Sequence, residues 1–136
     1  MTVFVLDASA VLRFLDREAG ADSVAQVFRS CAGQAGSMCI SAVQWGEIAA
    51  VQRRRSGVQQ QERVLDYLSQ IDLHIIPVSA ERAVRAASLR VNYKIAYADA
   101  FAAELTLDTP EHVLVTADYD FKAVENLIQI EFLPAK

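Results

Sequence analysis

The 136-residue sequence has only two cysteines, three prolines and five glycines. So little proline and glycine, beside 53% hydrophobic and 22% charged residues, excludes a disordered chain, a collagen-like repeat and a string of linkers. Cys31 and Cys39 lack the number and spacing for a zinc site or a redox pair. Set among small and apolar residues, they read as buried reduced thiols. No apolar run approaches the roughly 20 residues of a membrane helix; "TVFVL" and "LHIIPV" are strand-sized. No basic region precedes the first apolar stretch, which Asp7 ends at once, so no signal peptide and a cytoplasmic location are expected. Positive charge is also scarce, with a formal net charge of -4. A nucleic-acid substrate would therefore need local basic groups or metal ions to attract it.

What remains is enough for one folded unit, since a chain of this length buries about two thirds of its unfolded surface. Residues 1–136 show no repeat, low-complexity tract or internal boundary and read as a single domain. "TVFVL" runs through Asp7-Ala8-Ser9 into the amphipathic "SAVLRFLDRE", a strand followed by a helix. A second helix is predicted over "ADSVAQVFRSCA", with Gly33 and Gly36 at its end. "SMCIS" is a short strand, and two helices in series follow, the first placing Val43, Ile48 and Val51 on one face and stopping at Gly57. "LHIIPVS" has a buried-strand pattern that Pro77 terminates. Ser79 is a suitable N-cap for a helix to about Val91, with Glu81 in its first turn. In "KIAYADAFAAELTL", Ala98, Phe101, Ala102 and Leu105 make a packed helical face. "HVLVTADYDF" and "LIQIEFL" add two strands around a short helix. Strands alternating with helices predict an α/β fold whose parallel sheet is covered on both faces.

Ligands bind such sheets outside the carboxyl ends of the strands. Asp7 stands at that end of the first strand and Asp118 just beyond "VLVT", while Asp99 opens the apolar helix before it. Each has an ordinary explanation: Asp7 as a cap, Asp99 as a complement to the helix dipole, Asp118 or Asp120 as the cap of "FKAVENL". Glu47 resists that explanation, lying a turn inside its helix beside Trp45, Ile48 and Ala49, where a lone buried charge is costly. Four carboxylates gathered in one pocket repel, and a hard divalent cation offsets that repulsion. Such a site suits phosphodiester hydrolysis.

"VLDASAVL", "SAVQWGEIAA", "YADAFAAEL" and "LVTADYDF" resemble, in order and spacing, the four acidic motifs of PIN domains, particularly the short VapC-type ribonuclease toxins of toxin–antitoxin pairs. The likeness runs from Val3 to about Phe132. It implies a three-layer α/β/α fold with about five parallel strands in the order 3-2-1-4-5. It places the family's metal-binding acids on Asp7, Glu47, Asp99 and Asp118, Glu47 either ligating through water or helping to deprotonate it, with Ser9 and Thr116 as accessory hydroxyls and Asp120 as an extra acid. It further implies a magnesium-dependent endoribonuclease, with Mn²⁺ able to replace Mg²⁺, that leaves 5′-phosphate and 3′-hydroxyl ends. A small cognate antitoxin and a homodimer are the implied protein partners. The alternative is a PIN-like RNA- or protein-binding module that keeps the acids and does not cut.

Outside the acids, Arg53, Arg54 and Arg55 end the Glu47 helix. They are either solvated charges that suit the helix dipole or phosphate contacts at the pocket rim. Arg85, Arg90 and Lys94, ahead of the Asp99 helix, carry the same two readings. His74 and His112 have no nucleophile motif beside them and read as structural. Gly46, costly in a helix interior, reads as room for a close approach, and Trp45 as core, interface or a base-stacking surface. A P-loop is absent, and a haloacid-dehalogenase-like phosphatase would need an Asp where Ser9 stands.

Overall fold

A computed structural model describes residues 1–136, and its architecture follows from the pleat of the central strands. The strands are β1 (Thr2–Leu6), β2 (Gly36–Ser41), β3 (Leu73–Ile76), β4 (His112–Thr116) and β5 (Gln129–Phe132). They form one parallel sheet in the order β3-β2-β1-β4-β5. Successive side chains on a strand point to opposite faces, so each inner strand feeds two cores. Leu6, Met38, Ile40 and Val115 face one, where α1 (Ala8–Leu15), α2 (Ala21–Ala32) and α3 (Ala42–Ser69) contribute Val11, Val24, Ile48 and Leu68. Val5, Cys39 and Leu114 face the other, beneath α4 (Ala80–Tyr93) and α5 (Tyr97–Leu107), which supply Ala86, Leu89, Phe101 and Leu105. Two covered faces and the 3-2-1-4-5 order agree with the expected three-layer α/β/α arrangement. Cys31 and Cys39 are buried free thiols, and no helix is long and apolar enough to cross a membrane.

The two helices expected in series after β2 meet end to end within α3. Gly57, at φ 84° and ψ 178°, interrupts the helical backbone between them. That conformation is nearly confined to glycine, and it kinks the element where the sequence placed a stop. Ser79 caps α4 as expected, its hydroxyl accepting from the Arg82 N–H at 3.1 Å.

Three expectations are corrected. β3 is not a buried strand: Leu73 is buried, but His74 and Ile75 are exposed because β3 is an edge of the sheet. α5 does not bury one face alone; Ala100 through Thr106 are all buried. Wedged between α4 and the sheet, α5 presents Ala100, Ala102 and Ala103, small enough for close approach on every side. The charge this burial encloses, Glu104, accepts hydrogen bonds from Arg82 at 2.9 and 3.0 Å and from Arg85 at 2.9 Å. Arg82 also bonds Asp108 at 2.6 Å, so one cluster of charges clamps α4 to α5. The short helix after β4 is a 3-10 turn, Tyr119–Val124. Asp118, not Asp120, is its cap, accepting from the Asp120 N–H at 2.9 Å.

Candidate metal centre

Parallel register brings the first and last acids together. Leu6 pairs with Val115, so the next residue on each strand, Asp7 and Thr116, meet at the carboxyl end of the sheet although 109 positions separate them. The Thr116 hydroxyl donates to Asp7 Oδ2 at 2.6 Å. The Ser9 hydroxyl and the Ala10 N–H donate to Oδ1 at 2.7 and 2.9 Å. Asp7 therefore does cap α1, but a cap does not require the burial seen here, 2% exposed. Ser9 and Thr116 each have one hydroxyl proton, and both go to Asp7. The hydroxyl oxygens in turn accept the Ala117 N–H and the Asp118 N–H, each at 2.9 Å. A carboxylate offers about four acceptor directions; three are used, and the one left is on Oδ2.

Asp99 lies in the first turn of α5, whose N-terminus has no side-chain cap. It is half-buried, and its carboxyl is pushed up to about 7, first by burial and then by the charges of Asp118, Asp7 and Glu47. Asp7 is raised to about 6 by burial, against the opposing pull of its hydrogen bonds to Thr116, Ala10 and Ser9. Glu47 also lies above its ordinary range, through partial loss of hydration and then Asp118. The four acids thus feel one another across β1, α3, α5 and the turn after β4. Glu47 corrects the reading of a buried charge: it is exposed, on the flank of α3 turned from Ile48. Asp120 is exposed in the first turn of the 3-10 helix.

The donor set is all oxygen, which suits Mg²⁺ or Mn²⁺ rather than a soft metal. No three His, Cys, Asp or Glu side chains close into a cage of protein ligands.

The basic candidates divide. Arg53 and Arg54 are exposed on α3, whereas Arg55 bonds Asp16 at 2.9 Å. Lys94 is exposed at the left-handed C-cap of α4, just ahead of α5. Arg85 is exposed and paired with Glu104, and the guanidinium of exposed Arg90 lies 5.5 Å from the centre of the Tyr97 ring. His112 Nδ1 lies 2.7 Å from the Leu105 carbonyl, a structural contact, and exposed His74 touches no core. Trp45 packs on the α1–α3 core. A Cβ on Gly46 would meet nothing within 4 Å, so no part of this chain needs the room that glycine leaves.

One residue escaped the sequence reading. Gln44, 1% exposed, accepts the Ala8 N–H on Oε1 and donates from Nε2 to the Ala98 carbonyl, both at 2.7 Å. Its only signal was a polar residue in an apolar stretch one turn before Glu47.

The sequence pattern of the PIN domain matches residues 4–127. No curated protein matches the chain. Solved structures of similar fold include VapBC2 from Rickettsia felis bound to a promoter DNA fragment, 20% identical, with TM-score 0.71 over 98% of this chain and 100% of that one. VapC20 of Mycobacterium tuberculosis, a sarcin–ricin loop cleaving toxin, is 18% identical, with TM-score 0.70 over 90% and 95%. DNA-bound VapBC from Salmonella typhimurium is 16% identical, with TM-score 0.69 over 97% and 98%. With the matched stretch containing all four acids and the sheet order in agreement, the chain belongs to the PIN domain family.

Proposed function

We propose that this chain is a divalent-metal-dependent endoribonuclease that hydrolyses RNA phosphodiester bonds, the toxin of a VapBC-type pair held in check by a small antitoxin. The observation that carries the proposal is the gathering of four carboxylates at the carboxyl end of a parallel sheet, where burial first and then their mutual repulsion lift Asp99 to about 7. A scaffold has no use for that repulsion; a cation site does. Asp7, Asp99 and Asp118 would share Mg²⁺, one or two of them directly and the rest through its bound water, and exposed Glu47 would act through water at the rim. When bound, Mg²⁺ supplies activated water and offsets charge on the phosphoryl group under attack. The protein's part is to hold Asp7 rigid through Ser9, Thr116 and the Ala10 N–H, and to present Asp99 on a helix start buried just behind it. Arg53, Arg54, Arg55 and Lys94 are exposed cations that RNA phosphates would meet, and Asp120 is a further exposed acid.

The similar folds in the R. felis and S. typhimurium VapBC structures support an antitoxin partner. A homodimer is part of this proposal, with exposed Val84 and Val91 on α4 as candidate contacts; light scattering checks it. The protein is assigned to the cytoplasm, where its RNA substrates lie. The deciding experiment incubates antitoxin-free protein with structured RNAs in Mg²⁺, Mn²⁺ or EDTA, beside Asp99→Asn. Cleavage that EDTA and the substitution each abolish is expected. Metal binding without cleavage would favour the non-catalytic PIN-like module, and Asp99→Asn cutting at the parent rate would end the assignment of Asp99.

A further inference from the structure

Gln44 is placed as no surface glutamine would be. It sits in the first turn of α3, just past its cap Ser41, with its side chain buried between the starts of two other helices. Its two bonds are short, and they reach residues 36 and 54 positions away. Each partner adjoins a carboxylate: Ala8 follows Asp7 and Ala98 precedes Asp99. The chemistry of the pair also fixes the amide's orientation, because an N–H requires the carbonyl oxygen and a carbonyl requires the NH₂. Ala8 is the first residue of α1, so its N–H has no partner within the helix. Glu47 lies one turn further along α3, on a neighbouring stripe of the same helix.

We infer that Gln44 is a positioning residue for the acid cluster: it ties the start of α1 to the start of α5, fixes the separation of Asp7 and Asp99, and so sets the affinity for a divalent cation. The inference rests on reading the four acids as a metal site. A neutral amide supplies a donor and an acceptor on separate atoms without adding charge, which suits partners on two sides. A glutamate would turn an oxygen toward the Ala98 carbonyl and add a fifth acid, and a lysine or arginine would leave the Ala8 N–H without an acceptor. Because α3 also carries Glu47, the same helix that spaces two of the acids brings the third to their rim. Groups that orient metal ligands from behind typically alter affinity about 10- to 100-fold when replaced.

The test compares Gln44→Met, similar in length and without polar ends, with Gln52→Met, the same change at a second buried glutamine two turns along the same helix. Three quantities are read: the melting temperature, Mn²⁺ affinity by calorimetry well below melting, and hydrogen exchange of the Ala8 amide in EDTA. Gln44→Met should bind Mn²⁺ about 10- to 100-fold more weakly and exchange the Ala8 amide faster, while Gln52→Met binds like the parent whatever its melting temperature. A role limited to packing would lower stability in both variants and leave the Mn²⁺ affinity of folded Gln44→Met unchanged; that result overturns the inference. Should Gln44→Met not fold, Gln44→Asn decides by the same comparison, since its amide is too short to span both partners. Parent protein that binds no Mn²⁺ would overturn the metal-site reading itself, a failure distinct from parental affinity in the variant.

Discussion

Asp99→Asn should make the metal-free protein more stable at neutral pH, although it removes a residue assigned to function. A carboxyl that moves from 3.8 when unfolded to about 7 when folded resists ionisation in the native state by about 4 kcal/mol, at about 1.4 kcal/mol per pH unit. Asp99 is only half-buried, so water screens part of this, and about 2 kcal/mol is the working figure. At about 2.1 cal/mol/K of unfolding entropy per residue, that corresponds to a rise of roughly 7 °C in melting temperature. The sign follows from proton binding: between the two values the folded state holds the proton and the unfolded state does not, so stability falls as pH rises. The loss begins near the unfolded value and is complete above about 7. Asparagine does not titrate, so its advantage should be full at pH 8 in EDTA and vanish toward pH 4. Saturating Mn²⁺ should reverse the order, stabilising the parent through binding to the native state and leaving Asp99→Asn nearly unmoved. Differential scanning fluorimetry across pH, with EDTA or Mn²⁺, reads all of this. A variant no more stable than the parent at pH 8 in EDTA would refute the raised Asp99 carboxyl; equal Mn²⁺ stabilisation of both would refute ligation.

Thr116→Val removes the hydroxyl that donates to Asp7 Oδ2, a bond to a buried charged group worth about 1.5–3 kcal/mol. Urea melts at pH 8 should show that loss, and Asp7 should titrate still higher by carbon-detected NMR. Gly46→Ala should stabilise the protein by about 1 kcal/mol because an added Cβ meets nothing; a variant that melts higher yet fails to dimerise or to cut would place a partner against that position. Gly57→Ala forces an alanine to φ 84° and should cost on the order of 1–3 kcal/mol in a denaturant melt. Calorimetric Mn²⁺ binding near pH 6.5 should release protons, seen as a dependence of the observed heat on buffer, since Asp99 holds one there and must give it up to bind.

Features governed by strand pleat, caps and stops could be read from the residues. β1 and β4 announced their double burial through unbroken apolar runs, and Asp7 and Asp118 stood just past them. The arrangement of the acids followed because a parallel register places strand ends side by side. What escaped detection depends on neighbours in space. "LHII" has the composition of a buried strand and became an edge because only one partner lies beside it. Glu47 was expected inside because its sequence neighbours are apolar, but Trp45 and Ile48 turn toward the core and leave Glu47 outside. The partners of Arg85 and Arg90, Glu104 and Tyr97, were hidden too, being set by how α4 crosses α5. Gln44 was invisible for the same reason: a glutamine's two bonding groups acquire meaning only when a donor and an acceptor from other helices arrive on either side.

The burial that makes α5 a good mount is also what makes Asp99 expensive to ionise. Ala100 to Thr106 are packed on all sides, and Arg82 and Arg85 hold Glu104 from α4, so the helix cannot swing its first turn toward water to relieve the acid. Asp7 is similarly fixed by three hydrogen bonds. A looser scaffold would let the four charges separate and hydrate, and it would lose the preorganisation that favours a cation over a proton. Rigidity therefore turns repulsion into affinity. The energy withheld from the metal-free fold, about 2 kcal/mol at Asp99 against a typical total of about 5–15 kcal/mol, becomes available when a cation enters. Stability and metal binding should consequently vary in opposite directions at Asp99, and in the same direction at Gln44, where a single side chain serves both the fold and the spacing of the site.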